Sequence, residues 1–366
     1  MKHRFGVLDI FRGLFASAVV FYHMSAFSDT PIINNDFIKN ADMFVDFFFV
    51  LSGFVICYSY REIATASDWK TFLKKRIYRL YPLHLVMLLV FLLVEGIKLL
   101  LQNHVHINNS LDNSTTTFFT SLFLVNSVKF PGVHDIGWNM VSWSISAEWI
   151  SYIVFSTVCF GLTSLKLGRW KVIPYFLVAI VSYFILLQFT KNTKLDYTWD
   201  YGFLRGLIGF FTGTVCLYFF DFSYHRLKEI SKVLFTSLEA IVVGLIIYFV
   251  VNGTIYKEIG VVYELLFFIS IFVFAFEKGY ISQALNNVAV FKKMGKYSYS
   301  IYMTHTLLVS LFNVIFIRIF KLSPTAYWYL FAVNYLAVYF LSAWTYKNIE
   351  MRFSKVKSHH VIKKIE

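Results

Sequence analysis

A chain of 366 residues that is 58% hydrophobic, 20% aromatic and only 15% charged carries more apolar surface than a soluble fold can bury. The apolar residues form long continuous runs, whereas membrane strands are short and alternate between apolar and polar residues, so a β-barrel is excluded. The net charge of +13 would suit a nucleic-acid partner, but the positions of the basic residues favour a different explanation.

Ten apolar runs approach or reach the length of about 20 residues that a helix needs to cross a bilayer. They cover residues 7–26, 43–60, 81–101, 139–162, 171–190, 203–220, 233–251, 260–276, 297–319 and 326–346. These runs predict an all-α fold, a polytopic integral membrane bundle of about ten transmembrane helices in contact with membrane lipid. We expect a membrane domain over residues 1–346 and a basic cytoplasmic tail over residues 347–366.

The basic residues are distributed unevenly between the two ends of the predicted helices. If the N-terminus is cytoplasmic, most of the 34 Lys and Arg residues fall on the cytoplasmic side. They lie in the two chain ends and in segments 61–80, 163–171, 221–232 and 277–296. This asymmetry is the positive-inside pattern, so both termini are predicted to be cytoplasmic. The positive charge therefore indicates topology, and no nucleic-acid partner is expected.

The first predicted helix carries three ionisable residues on one face. Asp9, Arg12 and His23 follow a three-and-four spacing with Ala16 and Val19, which places all five on one stripe. Arg12 and His23 are about 16 Å apart along the axis, with Arg12 toward the cytoplasm. A charge inside a bilayer needs a partner, a water-filled cavity or a function. A lone membrane histidine is, however, more often a helix-to-helix hydrogen bonder, and Asp9 can simply neutralise Arg12.

Further ionisable residues follow in the second, fourth and ninth predicted helices. Asp46 lies about one turn from the outer end of the second, near the level of His23, so these two are expected to pair. Glu148 lies roughly 13 Å from the outer end of the fourth helix, and Ser144 lies one turn above it on the same face. Both are expected to line the same cavity as His23. His305 is expected nearer the middle of the membrane.

A basic cluster precedes the third predicted helix on the cytoplasmic side. It consists of Lys74, Lys75, Arg76 and Arg79, followed by Tyr81 and Pro82, where proline suits the first turn of a helix. Residues of this kind at a helix start are by default positive-inside anchors. Arg205 and Glu264, predicted near outer helix ends, have structural ion pairing as an equally good explanation.

The segment 102–138 is the longest outside the predicted helices. It begins polar and then contains an apolar stretch, 118–125, that is too short to span. A re-entrant or interfacial piece over the outer face is expected. The three cysteines, Cys57, Cys159 and Cys216, fall inside predicted helices, and their odd number and spacing indicate neither a disulfide nor a metal site.

Five motifs resemble, in order, those of the membrane acyltransferases of family three. They are Leu8-Asp9-Ile10-Phe11-Arg12-Gly13 with His23, Val45-Asp46-Phe47-Phe48-Phe49-Val50-Leu51-Ser52-Gly53-Phe54, an Arg-x-x-Arg element at Arg76 and Arg79, a Trp-Ser-x-x-x-Glu element at Trp143–Glu148, and a Ser-Tyr-x-x-Tyr-x-x-His element at Ser298–His305. One departure is Glu350-Met351-Arg352, where members of the family often have Glu-x-Pro.

The resemblance implies a bacterial inner-membrane enzyme. Such enzymes take an acyl group, usually acetyl from cytoplasmic acetyl-CoA, and transfer it to a hydroxyl of an envelope carbohydrate or glycolipid, such as lipopolysaccharide O-antigen or exopolysaccharide. The residues that match functional positions of the family are Arg12, His23, Arg76, Arg79 and Glu148. No appended extracytoplasmic hydrolase-like domain is expected.

The residues and the resemblance together suggest one chemical scheme. The CoA phosphates would bind Arg76, Arg79, Lys74 and Lys75, because guanidinium groups bind phosphate bidentately. His23, oriented by Asp46 or Glu148, would act as general base or carry the acyl group briefly. Arg12 would stabilise the thioester oxyanion or the CoA end, and His305 and Ser144 are further candidates.

Two rival hypotheses belong to other classes. In a proton-coupled transporter or flippase of an envelope glycan precursor, His23, Asp46, Glu148 and His305 would form a proton relay. In a structural membrane scaffold, replacement of His23 would affect stability only. The sequence does not identify the acceptor hydroxyl. It also leaves open whether the acyl group is acetyl or succinyl, and whether transfer is direct or passes through an acyl-histidine intermediate.

Overall fold

The computed structural model of the protein describes residues 3–28, 30–101, 113–163, 165 and 167–355. The first part of the 102–138 segment and residues 356–366 of the basic tail therefore lie outside the described residues. Within the described ranges the chain is helical and contains no strand. The predicted all-α fold is thus confirmed.

Fifteen α-helices run through the described residues. They are α1 Gly6–Ser25, α2 Asp36–Lys39, α3 Phe44–Ser59, α4 Ala66–Leu101, α5 Thr115–Leu122, α6 Ser142–Thr163, α7 Val172–Thr190, α8 Gly202–Leu227, α9 Lys232–Val251, α10 Gly253–Tyr256, α11 Val261–Phe274, α12 Tyr280–Asn287, α13 Ala289–Phe312, α14 Tyr327–Thr345 and α15 Met351–Lys355. Short 3-10 turns cover Ala41–Met43, Gly168–Lys171 and Pro324–Ala326, and π-helical turns cover Asn313–Ile319 and Tyr346–Glu350.

The ten predicted spans correspond to α1, α3, α4, α6, α7, α8, α9, α11, α13 and α14. Among the described residues, eight helices are long and apolar enough to cross a membrane. Helix α11 is shorter, with 14 residues, and α14 is not one of the eight. The architecture is a polytopic bundle, as predicted.

The basic cluster before the third span is helical, which corrects the predicted helix start. Helix α4 has 36 residues and begins at Ala66, so Lys74, Lys75, Arg76 and Arg79 project from its first half. Pro82 lies inside this helix and not in its first turn. The prediction failed because an apolar run marks where a helix is lipid-compatible, whereas the helix itself continues through charged turns. Helix α13 likewise begins eight residues before its predicted apolar run, at Ala289.

Close backbone contact fixes the crossing of α1 and α13. A Cβ atom added to Gly13 would lie 2.5 Å from the Gly295 nitrogen, and one added to Gly295 would lie 2.3 Å from the Asp9 carbonyl oxygen. Only glycine permits such an approach, as at other close helix crossings in membranes. A second crossing of this kind joins α3 and α8, where a Cβ on Gly53 would lie 1.7 Å from the Phe210 carbonyl oxygen. These crossings hold the first and second motifs against their neighbours.

The described part of segment 102–138 folds back into the bundle. The C-terminal carbonyl groups of α5 accept hydrogen bonds from α4: Tyr81 Oη donates to Leu122 O at 3.1 Å, and His84 Nε2 lies 2.8 Å from Ser121 O. Leu124, with φ of 55°, turns the chain, and its carbonyl accepts from Ser146 Oγ at 2.9 Å. Side chains thus satisfy carbonyl groups that the bundle shields from water.

Contacts between connections define two ends of the bundle. At one end, which we call the basic end, Glu277 Oε1 accepts from the Val7 backbone nitrogen at 2.8 Å, and Arg61 pairs with Asp221. The N-terminal segment, the connections after α3 and α11, and the last two turns of α8 therefore meet there. At the opposite end Lys257 pairs with Asp42 at 2.7 Å.

Candidate functional site

A large cavity of about 1280 Å³ opens at the basic end. Its cationic lining residues come from three helices and the N-terminal segment; they are Arg4, Arg12, Lys74, Lys75, Arg76, Arg79 and Lys296. Asp9 and Glu350 are the carboxylates in this lining. We call this space the basic cavity. Its excess of cations makes it suitable for an anionic ligand.

Asp9 binds two of these cations. Arg4 Nε donates to Asp9 Oδ2 at 2.8 Å, and Arg12 Nη1 lies 3.6 Å from Asp9 Oδ1. The sequence interpretation that Asp9 neutralises Arg12 is therefore supported, and Arg4 shares the same carboxylate. The partial pairing leaves Arg12, half-buried in α1, facing the cavity.

The basic residues of α4 differ in how they are held. Arg76 is half-buried, with its guanidinium carbon 5.5 Å from the Tyr60 ring and 6.0 Å from the Tyr152 ring. Arg79 is exposed to the cavity and makes no hydrogen bond or ion pair with any other described residue. Lys74 and Lys75 are also exposed. Arg76 is thus fixed by aromatic rings, whereas Arg79 is available to a ligand.

A smaller cavity of about 120 Å³ continues from the basic cavity toward the bundle interior. Arg12, Arg76 and Arg79 line both spaces, and Glu148 lines this deep cavity. Glu148 Oε1 accepts hydrogen bonds from Ser52 Oγ, at 2.7 Å, and from Tyr152 Oη. His23 does not line this cavity, so the expectation that Glu148 and His23 share one cavity is wrong. The buried carboxylate lies with the arginines, which supply opposite charge in a weakly polar interior.

Asp46 also lies apart from His23. Its two carboxylate oxygens accept bidentate hydrogen bonds from Arg205, at 2.6 and 2.8 Å, and both side chains are only 5% exposed. The Arg205 guanidinium carbon stands 5.3 Å from the Trp143 ring. The predicted pairing of His23 with Asp46 is thus wrong, because similar depth on two helices does not give a similar direction, and guanidinium is the better bidentate partner.

His23 instead faces a second histidine. The ring centroids of His23 and His305 are 5.0 Å apart, and His305 is fully buried. One turn earlier on α13, the Tyr302 ring lies 5.9 Å from His305, and Ser144 Oγ donates to Tyr302 Oη at 2.9 Å. Ser144 and Tyr302 line the deep cavity. A row of side chains therefore leads from the deep cavity to His23.

Several site residues escaped the sequence analysis. Ser52 lies in the second motif, and Tyr152 lies one turn after Glu148, a spacing that could have revealed it. Glu350, whose Oε1 accepts a hydrogen bond from Ser300 Oγ, is the last residue of a π-helical turn and lines the basic cavity. Burial raises the pKa of Glu350, and the hydrogen bond from Ser300 and the charge of Arg79 oppose that shift.

A comparison with known protein families agrees with this geometry. The family described as an acyltransferase domain matches residues 5–347, which is nearly the whole chain. No curated protein and no solved structure gives a significant match. The family match includes every helix that lines the two cavities except the short α15. The chain therefore belongs to the acyltransferase 3 family and is a membrane acyltransferase.

Proposed function

We propose that this membrane acyltransferase takes an acetyl group from cytoplasmic acetyl-CoA and transfers it to a hydroxyl of an envelope carbohydrate, such as lipopolysaccharide O-antigen or exopolysaccharide. The observation that carries this proposal is the basic cavity, which leads into a deep cavity lined by Arg12, Arg79 and Glu148. The enzyme would reside in the cytoplasmic membrane of a bacterium, with the basic end and both termini in the cytoplasm.

The basic cavity has the size and charge that a CoA ester needs. Its volume of about 1280 Å³ exceeds the roughly 300–1,000 Å³ of sites for drug-sized ligands. The phosphate groups of CoA would bind Arg79, Lys74 and Lys75, which are exposed there. Arg76 would define the inner limit of the phosphate site, since aromatic rings hold its guanidinium group. The pantetheine arm would then direct the thioester into the deep cavity.

The reaction needs a base and a group that stabilises negative charge. The acceptor hydroxyl loses its proton to His23, its oxygen forms a C–O bond with the acyl carbon, the C–S bond breaks, and the thiolate takes the proton. Arg12 is placed to stabilise the oxyanion. An acyl-histidine route divides the same changes into two steps. Rapid-quench trapping of labelled protein that is lost in His23→Ala would favour the acyl-histidine route, and no label in wild type would favour direct transfer.

Binding of acetyl-CoA to the purified protein tests the donor site. Arg79→Ala is expected to weaken binding about 10- to 100-fold, because a charge-assisted hydrogen bond contributes about 1.5–3 kcal/mol. Arg169→Ala is the matched control, since Arg169 is exposed and does not line the basic cavity. Calorimetric titration measures both. Equal affinity of the Arg79 and Arg169 variants would contradict the assignment of the CoA site.

Mass spectrometry of envelope glycans from cells with and without the protein tests the acceptor. A mass difference of one acetyl unit is expected. A difference of one succinyl unit would identify a succinyl donor in place of acetyl-CoA. The rival transporter would leave glycan masses unchanged and would not bind acetyl-CoA. The geometry gives that rival less support, because its proton relay needs Asp46 and Glu148 beside the histidines, and both have other partners.

A further inference from the structure

The buried histidine of α13 has one ring nitrogen without a partner. His305 Nδ1 lies 3.2 Å from the Ile301 carbonyl oxygen, and a carbonyl oxygen can only accept, so Nδ1 carries the hydrogen. In a neutral imidazole the other nitrogen, Nε2, is then a hydrogen-bond acceptor. His305 Nε2 is buried and has no hydrogen-bond partner among the described residues. Such an acceptor in an apolar interior indicates a donor that binds there in the working enzyme.

His23 is the group placed to supply that donor. Its ring centroid is 5.0 Å from that of His305 at an interplanar angle of 39°, so a small rotation of the half-buried His23 ring brings a nitrogen toward Nε2. Nearby carboxylates have other partners, because Asp46 binds Arg205 and Asp42 binds Lys257 at 2.7 and 2.9 Å. No carboxylate among the described residues is hydrogen-bonded to His23, which leaves His305 for the orienting role.

We propose that His305 is the positioning residue for His23: Nε2 accepts a hydrogen bond from one ring nitrogen of His23 and leaves the other free to take the proton of the acceptor hydroxyl. This inference rests on the proposed acyl transfer. In the transfer, the hydroxyl proton moves to the free nitrogen of His23, the C–O bond forms, the C–S bond breaks, and the proton passes to the CoA thiolate. His305 thereby performs the orienting task of the aspartate in a Ser-His-Asp triad without burying a second charge.

The backbone supports a fixed distance between the two rings. Helices α1 and α13 touch at Gly13 and Gly295, so neither helix can move closer to or slide past the other without displacing backbone atoms. His305 also follows Tyr302 by one turn, and Tyr302 lines the deep cavity. The histidine pair is thus positioned next to the space proposed for the thioester.

Three variants of His305 test the role of Nε2. His305→Leu removes the acceptor, His305→Gln places an amide oxygen near the position of Nε2, and His305→Asn is too short to reach it. The assay uses purified protein, radiolabelled acetyl-CoA, and membranes of a deletion strain as the source of acceptor glycan. We expect His305→Leu and His305→Asn to lower kcat about 100-fold with little change in the KM for acetyl-CoA, and His305→Gln to restore kcat to within about 10-fold of wild type.

The outcomes are distinguishable. Wild-type kcat in His305→Leu would overturn the inference, as would equal losses in the Gln and Asn variants when both bind acetyl-CoA and unfold at the wild-type temperature. If the Leu variant does not fold, the comparison of Gln with Asn decides alone. An absence of label transfer by the wild type would contradict the proposed function itself, and the inference with it.

Discussion

At the scale of single residues, the interior charges divide into two sets with different surroundings. Arg12, Arg79 and Glu148 line cavities, whereas Asp46 and Arg205 fill each other's hydrogen-bonding capacity within the packed bundle. Glu264 lies near this pair, 2% exposed, with neither carboxylate oxygen bonded to a described residue. Residues that can reach a ligand are candidates for chemistry, and a saturated ion pair is a candidate for structure.

We therefore predict that Arg205→Ala and Asp46→Ala each reduce stability strongly. Removal of one partner from a buried pair leaves an uncompensated charge, at a cost of about 3–5 kcal/mol. The control pair is Asp42 and Lys257, whose side chains are 22% and 24% exposed, and whose loss is expected to cost about 1 kcal/mol or less. Thermal unfolding of the purified variants measures the difference. If Arg205→Ala unfolded like wild type but lost acyl transfer, Asp46 and Arg205 would belong to the active site.

At the scale of helices, hydropathy located the apolar spans. It did not locate the ends of all the helices or the rotation of each helix about its axis. The apolar runs identified α1, α3, α7 and α9 to within about one residue at each end. They missed the start of α4, before residue 81, and the start of α13, before residue 297. Lysine and arginine form helices well, but their low hydropathy makes such helical turns look like loops. Counting residues along each helix axis predicted that His23 and Asp46 lie at a similar depth in the membrane. Which neighbour each side chain faces depends on helix rotation, which is set by packing such as the glycine contact between α1 and α13.

This contact gives a prediction at the same scale. Gly13→Leu is expected to force α1 away from α13, because even a Cβ atom would lie 2.5 Å from the Gly295 nitrogen. Both the unfolding temperature and acyl transfer should fall. Gly244→Leu is the control, since a Cβ at Gly244 of α9 meets nothing within 4 Å. Equal behaviour of the two variants in thermal unfolding and transfer assays would show that the crossing is looser than the structure indicates.

At the scale of the whole molecule, the charges and cavities make the two ends of the bundle different. The cationic cavity lies at the basic end, and the two histidines lie farther along the row that passes through Ser144 and Tyr302. An acyl group bound at the first position and released at the second would move toward the opposite end. The proposed use of cytoplasmic acetyl-CoA for an envelope acceptor thus depends on the basic end facing the cytoplasm.

Site-directed labelling in intact cells checks this orientation. Lys292→Cys places an exposed thiol at the basic end and Thr254→Cys places one at the opposite end, while the native Cys57, Cys159 and Cys216 are buried and contribute little background. A membrane-impermeant maleimide applied outside the cytoplasmic membrane should label Thr254→Cys only, and permeabilised cells should label both. Labelling of Lys292→Cys from outside would show that the bundle has the opposite orientation in the membrane. The cationic cavity would then face away from the cytoplasmic pool of acetyl-CoA, and the proposed donor would have no access to it.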